Sequence, residues 1–319
     1  MAHSEWEDAV RRRRIVVTGG AGFIGSHLVR ALLEAGAAHV RVIDDLHCGD
    51  QANLGNSDVE LVRVRLGWDD PTPHLAGADV LMHLAAEKHN QALDRPADLL
   101  RANVEGTQRL LEAAVRHGIG RVVFTSSLYA YGRLTGPACT ETDCPEPITV
   151  YGISKVAGEH LLHHFASRDG LSGTILRFYF VYGPRQLAGM GYKSVIVKTF
   201  ERLLAGQSPV IYGDGTQALD YVYVDDVVDA LMRALTPVAH GQTFNVASGT
   251  AVTVRDLVRT MTEVAGVPDA PTFEPADWTA GTWRSGSPAR IAEVLGWRAR
   301  TDLPTGLRRT LDWMREQRG

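Results

Sequence analysis

The sequence predicts an α/β protein: a doubly wound, mostly parallel sheet followed by a smaller, mixed C-terminal region. Three observations predict it. Short β-branched runs alternate with helical stretches through the first half of the chain, the pattern of parallel strands with helices on both faces. A glycine-spaced segment, Thr18-Gly19-Gly20-Ala21-Gly22-Phe23-Ile24-Gly25, joins the first apolar run to the first helical stretch. After Gly183-Pro184 the texture changes, with longer loops and frequent proline and glycine.

Ile15-Val16-Val17 is the first expected strand. Val40 to Asp44, Val59 to Val64, Asp79 to Leu84, Arg121 to Ser126 and Thr174 to Phe180 follow as further strands. Ser26 to Ala35, Ala97 to His117 and Val150 to Ser167 have helical apolar spacing, and glycine follows the first two near their ends. Beyond residue 184, Val195 to Leu204 and Val254 to Val264 are the clearest elements. Gly213-Asp214-Gly215 predicts a tight hairpin turn, and Asp225-Asp226 suits a helix cap better than a metal site. Trp278, Trp283 and Trp313 are expected to pack in the core or at its edge.

The glycine turn carries chemistry because of where it lies. Gly19 lets the chain turn sharply, Gly22 removes the side chain that would block a pyrophosphate, and Gly25 lets the helix pack closely on the strand. The helix start then offers unpaired backbone N–H groups to phosphates. Asp44 ends the second strand 19 residues after Gly25, the position of a ribose-binding carboxylate, and Asp45 beside it can share the task. A carboxylate there repels a 2′-phosphate, so NAD is the expected cofactor. Residues 14–183 are thus expected to form a Rossmann-type NAD-binding domain after a tail of residues 1–13. Residues 184–319 are expected to be mainly a substrate-binding region interleaved with it.

Composition narrows the partners. With 45% hydrophobic and 22% charged residues and a net charge of -4, the chain has no electrostatic bias toward nucleic acid. The basic run Arg11 to Arg14 is expected to be a solvated edge. No apolar stretch is long enough to span a bilayer and no signal-peptide core precedes the first strand, so the cytoplasm is the expected compartment. Cys48, Cys139 and Cys144 lack paired metal-ligand spacing, the 12 histidines are scattered, and no metal site is expected.

Tyr151 and Lys155, in Pro147-Ile148-Thr149-Val150-Tyr151-Gly152-Ile153-Ser154-Lys155, fall at i and i+4 on one helix face. A tyrosine with its ordinary pKa near ~10 is a poor base at neutral pH, but an adjacent ammonium and a nicotinium ring both stabilise the phenolate. Together with the glycine turn, the pair joins Ser126-Ser127, His83-Leu84-Ala85-Ala86, Tyr182-Gly183-Pro184-Arg185-Gln186 and Leu295-Gly296-Trp297. By these motifs the chain resembles the extended short-chain dehydrogenase/reductase family, and most closely its nucleotide-sugar epimerases and dehydratases.

The resemblance implies that Ser127 hydrogen-bonds the reacting hydroxyl, Tyr151 takes its proton and Lys155 holds both the phenolate and the nicotinamide ribose. It also implies that Phe23, Ile24, Leu66, Leu84, Ala85 and Ala86 line the cofactor cleft, with His83 structural. Four departures matter. Leu128 and Tyr129 stand where the 4,6-dehydratases have an Asp-Glu pair, which disfavours elimination. The decarboxylases, which have a glutamate near this point, are disfavoured too. Tyr129 occupies the slot of a cysteine base in related 3,5-epimerases, so it is a further catalytic candidate, a packed aromatic being its alternative. Phe180 replaces an asparagine expected to contact substrate, and Leu219 replaces an arginine that grips a diphosphate. Lys193, Arg185 or Arg284 are the candidates to replace that charge. Arg65 stands at an adenine-binding aspartate position.

The function expected on this basis is NAD-dependent epimerisation of a nucleotide-activated sugar at carbon 4 through a transient 4-keto intermediate. The alternatives are a net reductase or dehydrogenase of a ketosugar or other hydroxylated small molecule, 3,5-epimerase or dehydratase-type chemistry, and an NAD-sensing binding protein. Apolar residues on more than one face of the Ala97 to His117 and Val150 to Ser167 helices predict a homodimer.

Overall fold

Ile15, Val16 and Val17 lie in β1 (Arg14–Thr18), a strand with its last four residues buried. The computed structural model describes residues 5–89, 91–136, 138–186 and 193–318. A short helix, α1 (Glu5–Val10), precedes β1, and Val10 at its end is fully buried. From β1 the glycine turn leads into α2 (Phe23–Glu34), then β2 (His39–Ile43), β3 (Glu60–Val62) and β4 (Val80–His83). Next come α3 (Gln91–Asp94), α4 (Pro96–Leu100), a π-helical turn (Arg101–Glu105), α5 (Gly106–Arg116), β5 (Arg121–Ser127), α6 (Val150–Asp169) and β6 (Gly173–Phe178).

The second half builds β7 (Phe180–Tyr182), α7 (Val195–Leu204), β8 (Val210–Tyr212), β9 (Ala218–Tyr223), α8 (Val224–Arg233) and β10 (Thr243–Val246). It ends with β11 (Ala251–Thr253), α9 (Val254–Ala265), β12 (Thr272–Glu274), β13 (Trp283–Arg284), α10 (Ala289–Leu295) and α11 (Leu303–Glu316).

Seven strands form one sheet in the order β10-β6-β5-β4-β1-β2-β3, parallel throughout. The order reverses between β1 and β4, and the crevice outside the strand ends at such a reversal is where α/β sheets bind ligands. Both faces are covered, as parallel sheets require. Alternate residues therefore enter different cores: Val17 and Met82 pack with Leu28 and Leu32 of α2 and Leu231 of α8. Val16 and Leu81 pack with Leu110 of α5 and Leu162 of α6. The smaller sheet is centred on β9, which pairs with β7, β11 and β13, while β12 and β8 form a separate pair.

Several local expectations are corrected. The single helix expected from Ala97 to His117 is interrupted by the π-helical turn. The strand expected from Thr174 to Phe180 divides at Tyr179, because β6 pairs with β5 and β10 whereas β7 crosses to β9. Gly213 and Gly215 have φ of 72° and 78°, as a tight turn requires, yet β8 and β9 join different sheets, so the turn closes no hairpin. Asp225 and Asp226 lie in the first turn of α8 rather than at its cap. Asp226 instead docks the C-terminal segment, accepting from the amides of Arg300 and Thr301. Trp313 is partly buried against the third core, but Trp278 and Trp283 are 56% and 43% exposed.

Candidate active site

The glycine turn is packed on one side and open on the other. Gly19 has φ of 70°, and a Cβ there would lie 2.8 Å from the Ala85 amide nitrogen. A Cβ on Gly25 would lie 2.1 Å from the Gly19 carbonyl, so the helix could not approach the strand. At Gly22 a Cβ would meet only the Gly19 carbonyl, at 3.2 Å. Gly22 is the N-cap of α2, which has neither a side-chain cap nor an acidic residue in its first turn. The positive end of the helix dipole is thus uncompensated, as a phosphate site needs. Phe23 and Ile24 of this turn also pack on the C-terminal core, fixing α2 against the second half.

Asp44 follows β2 and latches the turn: its carboxylate accepts from the amides of Ala21 (3.0 Å) and Leu46 (2.9 Å). Burial, with the Asp45 charge beside it, raises its pKa. Asp45 is more open, and with His47, Arg63, Val64, Arg65, Asp69 and Arg95 it lines a cavity of about 380 Å³. Arg65 covers the Trp68 ring at 3.8 Å, and Leu66 is buried behind it. Leu84 and Ala85 follow β4, their amides bonded to Thr18. An open glycine cradle, a free helix start and carboxylates at the end of β2 fit a dinucleotide.

His83 is buried and structural. Thr107 donates its hydroxyl to the Asn103 carbonyl, so its oxygen accepts from His83 Nε2, leaving Nδ1 to accept from Thr18 at 2.7 Å. Burial, with a smaller push from Lys155, holds its pKa down at about 3.

Three hydroxyl and amine groups converge at the C-terminal end of β5. Ser127 ends that strand, and Thr149 caps α6 by accepting from the Gly152 amide at 3.0 Å, setting Tyr151 in the first turn. The Tyr151 hydroxyl lies beside Ser127, whose side chain favours the phenolate. Lys155, one turn on, is buried and donates to the Thr125 carbonyl at 2.9 Å, with Nζ 5.7 Å from the Tyr151 ring centre. The sequence led us to expect an ammonium-acidified phenol. In this structure burial, together with the neighbouring Tyr129, pushes Tyr151 up, and the Ser127 side chain opposes it. Burial also lowers Lys155 to about 8, against the charge of Glu159. Glu159 itself is held by Arg177, at 2.9 and 2.6 Å, and by Ser126.

An aromatic mouth lies beside this centre. Tyr129 meets Tyr151 edge to face at 5.8 Å between ring centres. Arg284 lies 6.0 Å from the Tyr129 ring centre, 4.7 Å from that of Trp278 and 5.8 Å from that of Phe180. Leu219 is the register partner of Arg284 on the adjoining strand. Of the other candidate cations, Lys193 is matched by both oxygens of Glu201 at 2.7 Å. Arg185, with φ of 66°, stands near Asp225 and Arg30.

Sequence reasoning missed three contributors. Asn103, in the π-helical turn, clamps both backbone groups of Glu87 and donates to Ser154, which in turn donates to the Tyr151 carbonyl. Only its place in a helix interior, where asparagine is a weak helix former, hinted at this. His89 stacks on Tyr129 at 5.1 Å, and Trp278 joins the mouth despite its exposure. Among the described residues no group of three His, Cys, Asp or Glu could hold a metal, and no helix is long and apolar enough to cross a membrane.

A dinucleotide turn facing a Ser-Tyr-Lys constellation defines a short-chain dehydrogenase/reductase type of enzyme fold. Residues 15–247 match the NAD dependent epimerase/dehydratase family, and the chain belongs to that family, with NAD as cofactor. It is 40% identical to a UDP-glucose 4-epimerase of Mycolicibacterium smegmatis over 95% of this chain and 99% of that one. A UDP-glucose 4-epimerase of Thermotoga maritima, solved with UDP-glucose, superposes with a TM-score of 0.90 at 34% identity, covering 96% of this chain and 100% of that one. A dTDP-glucose 4,6-dehydratase of Streptomyces venezuelae, solved with NAD, gives 0.88 at 31% identity, with 96% and 98% covered.

Proposed function

We propose that this protein is an NAD-dependent epimerase of a nucleotide-activated sugar, acting at carbon 4. The observation that carries the choice is the pair following Ser127. Leu128 is buried, 3% exposed, and Tyr129 is a phenol packed beside Arg284, so neither supplies the carboxylate acid and base that elimination requires. Similarity to two UDP-glucose 4-epimerases supports the same choice.

In this reading Gly19, Gly22, Gly25 and the start of α2 take the pyrophosphate, and Asp44 and Asp45 take the ribose. Phe23, Ile24, Leu66, Leu84, Ala85 and Ala86 line the cleft. When bound, NAD accepts the hydrogen from carbon 4 as hydride and returns it to the other face, and its positive ring favours a phenolate nearby. Ser127 orients the substrate hydroxyl, Tyr151 removes its proton, and Lys155 stabilises the phenolate from one turn away. Arg284 takes over the diphosphate contact left by Leu219, with Phe180 bounding the sugar; Lys193 and Arg185 are secondary candidates. Tyr129 is a substrate-facing phenol and a second candidate proton carrier.

We further place the protein in the cytoplasm as a homodimer. Leu93, Leu100 and Ile153 are 73%, 39% and 48% exposed on α3, α4 and α6, an apolar surface suited to a second copy. A monomeric mass at micromolar concentration rejects the dimer.

The test of function is a panel of nucleotide sugars incubated with purified enzyme in heavy water and followed by NMR. Inversion at carbon 4 without added cofactor supports epimerisation. Stoichiometric NADH consumption points to the reductase, and solvent deuterium at carbon 3 or 5 points to Tyr129-assisted enolisation.

A further inference from the structure

Tyr151, Lys155 and Glu159 recur at every fourth position along α6, and three consecutive residues at the end of β5 receive them. Ser127 lies beside the Tyr151 hydroxyl, the Thr125 carbonyl accepts from Lys155 at 2.9 Å, and Ser126 donates its hydroxyl to Glu159. The proton-transfer reading uses the first two of these helix residues and leaves the third without a role. Yet Glu159 is as deeply buried as Lys155, each 4% exposed.

Burying a carboxylate is costly unless its charge and its hydrogen bonds are matched. Arg177 of β6 donates to Glu159 from Nε at 2.9 Å and from Nη2 at 2.6 Å, the two-point fork that suits a carboxylate. Arg177 is also the register partner of Ser126, so β5 and β6 present both donors side by side. This clamp pins α6 to the sheet one turn beyond Lys155. Lys155 spends its hydrogen bond on a neutral carbonyl. Burial opposes its charge, and the Glu159 carboxylate supports it.

Other groups leave that task to Glu159. His83 of β4, close to the amine, is kept neutral by burial, and the Tyr151 and Phe124 rings lie 5.7 and 5.3 Å from Nζ. Asp98, Arg101, Glu105, Arg109 and Glu112, on the helical segments packed against α6, are open to solvent. Charge at the depth of Lys155 comes from Glu159 and, behind it, Arg177.

Resting on the Ser127-Tyr151-Lys155 reading, we propose that Glu159 is a positioning residue for proton transfer: clamped by Arg177 and Ser126, its carboxylate is the counter-charge that keeps the Lys155 amine cationic and seated on the Thr125 carbonyl beside Tyr151.

The sequence contains four lysines, Lys88, Lys155, Lys193 and Lys198. NAD-loaded protein labelled with carbon-13 at lysine Cε therefore gives few NMR signals to titrate, and the Lys155 signal is assigned by its loss in Lys155→Met. Removing a charge one helical turn away, at about 6 Å, should lower the Lys155 midpoint by about one to two pH units in Glu159→Gln. The double variant Glu159→Gln, Arg177→Met also removes the opposing cation, so its midpoint should fall between those of the single variant and wild type. The alkaline limb of the turnover profile should move with the NMR midpoint. A wild-type midpoint in Glu159→Gln overturns the proposal, whatever happens to the melting temperature, and a wild-type midpoint in the double variant overturns it where the single variant does not fold. Wild-type protein that turns over no nucleotide sugar overturns the functional reading instead, and the NMR titration still decides the charge contact.

Discussion

Arg284 and Leu219 are register partners on the adjoining parallel strands β13 and β9, and only one of the pair carries a charge. Arg284 is 5% exposed, its guanidinium among the rings of Tyr129, Phe180 and Trp278. A buried cation needs an anion, and a diphosphate would supply it. Arg284→Met should weaken UDP binding by about 10- to 100-fold, the range for a lost charge-assisted hydrogen bond. Arg284→Lys should recover part of it. Calorimetry on NAD-loaded protein measures both, and unchanged affinity in Arg284→Met rejects the assignment.

Tyr151 is the group assigned to proton transfer. Tyr151→Phe removes the hydroxyl beside Ser127 and leaves the ring packed against Tyr129. Turnover should fall by about 10²–10⁴-fold, the usual contribution of a positioned acid or base. Bound NAD and melting temperature should stay close to wild type. Undiminished turnover would revive the NAD-sensing alternative.

The glycine turn makes a steric prediction. In Gly25→Ala the new Cβ would sit 2.1 Å from the Gly19 carbonyl, so α2 must move off β1. Purified variant should contain little NAD and melt at a lower temperature. Gly36→Ala is a control that meets no atom within 4 Å, although its φ of 83° strains any side chain. It should lose stability and keep its NAD, which separates a cradle effect from a general one.

Lys155 sets a pH signature. The folded amine loses its proton near pH 8, whereas the unfolded one does so near the ordinary 10.5. Below pH 8 both forms are protonated and the full cost of burying the charge is present. Between pH 8 and 10.5 the unfolded chain holds more protons, so stability rises with pH. The gain from this group is roughly 3 kcal/mol. Unfolding of NAD-free wild type and Lys155→Met should show the rise as a difference between the two. Parallel curves contradict it.

The fold and the local motifs were legible because their signals are short-range. Glycine spacing, strand alternation and the i, i+4 relation of Tyr151 and Lys155 are properties of contiguous chain. The break at Tyr179 was not legible, since both sides read as β and only pairing with β9 pulls Phe180 out of the large sheet. The π-helical turn was hidden for a similar reason: its purpose lies in the Asn103 clamp on Glu87 and Ser154, far apart in sequence. The mouth was the least legible part. His89, Tyr129, Trp278 and Arg284 come from four separate segments, and only tertiary packing joins them. The phenol of Tyr151 teaches a physical lesson as well, because it stands one turn from Lys155 on α6 as the spacing implies, yet burial, invisible in sequence, pushes it up.

The most direct test of the central claim follows one atom. UDP-glucose carrying deuterium at carbon 4 is incubated with the enzyme in ordinary water, and both epimers are analysed by NMR and mass spectrometry. The account predicts that the deuterium remains at carbon 4 in both epimers, with no net NADH formed. Deuterium replaced by solvent hydrogen at that carbon, or one NADH accumulating per product, contradicts it.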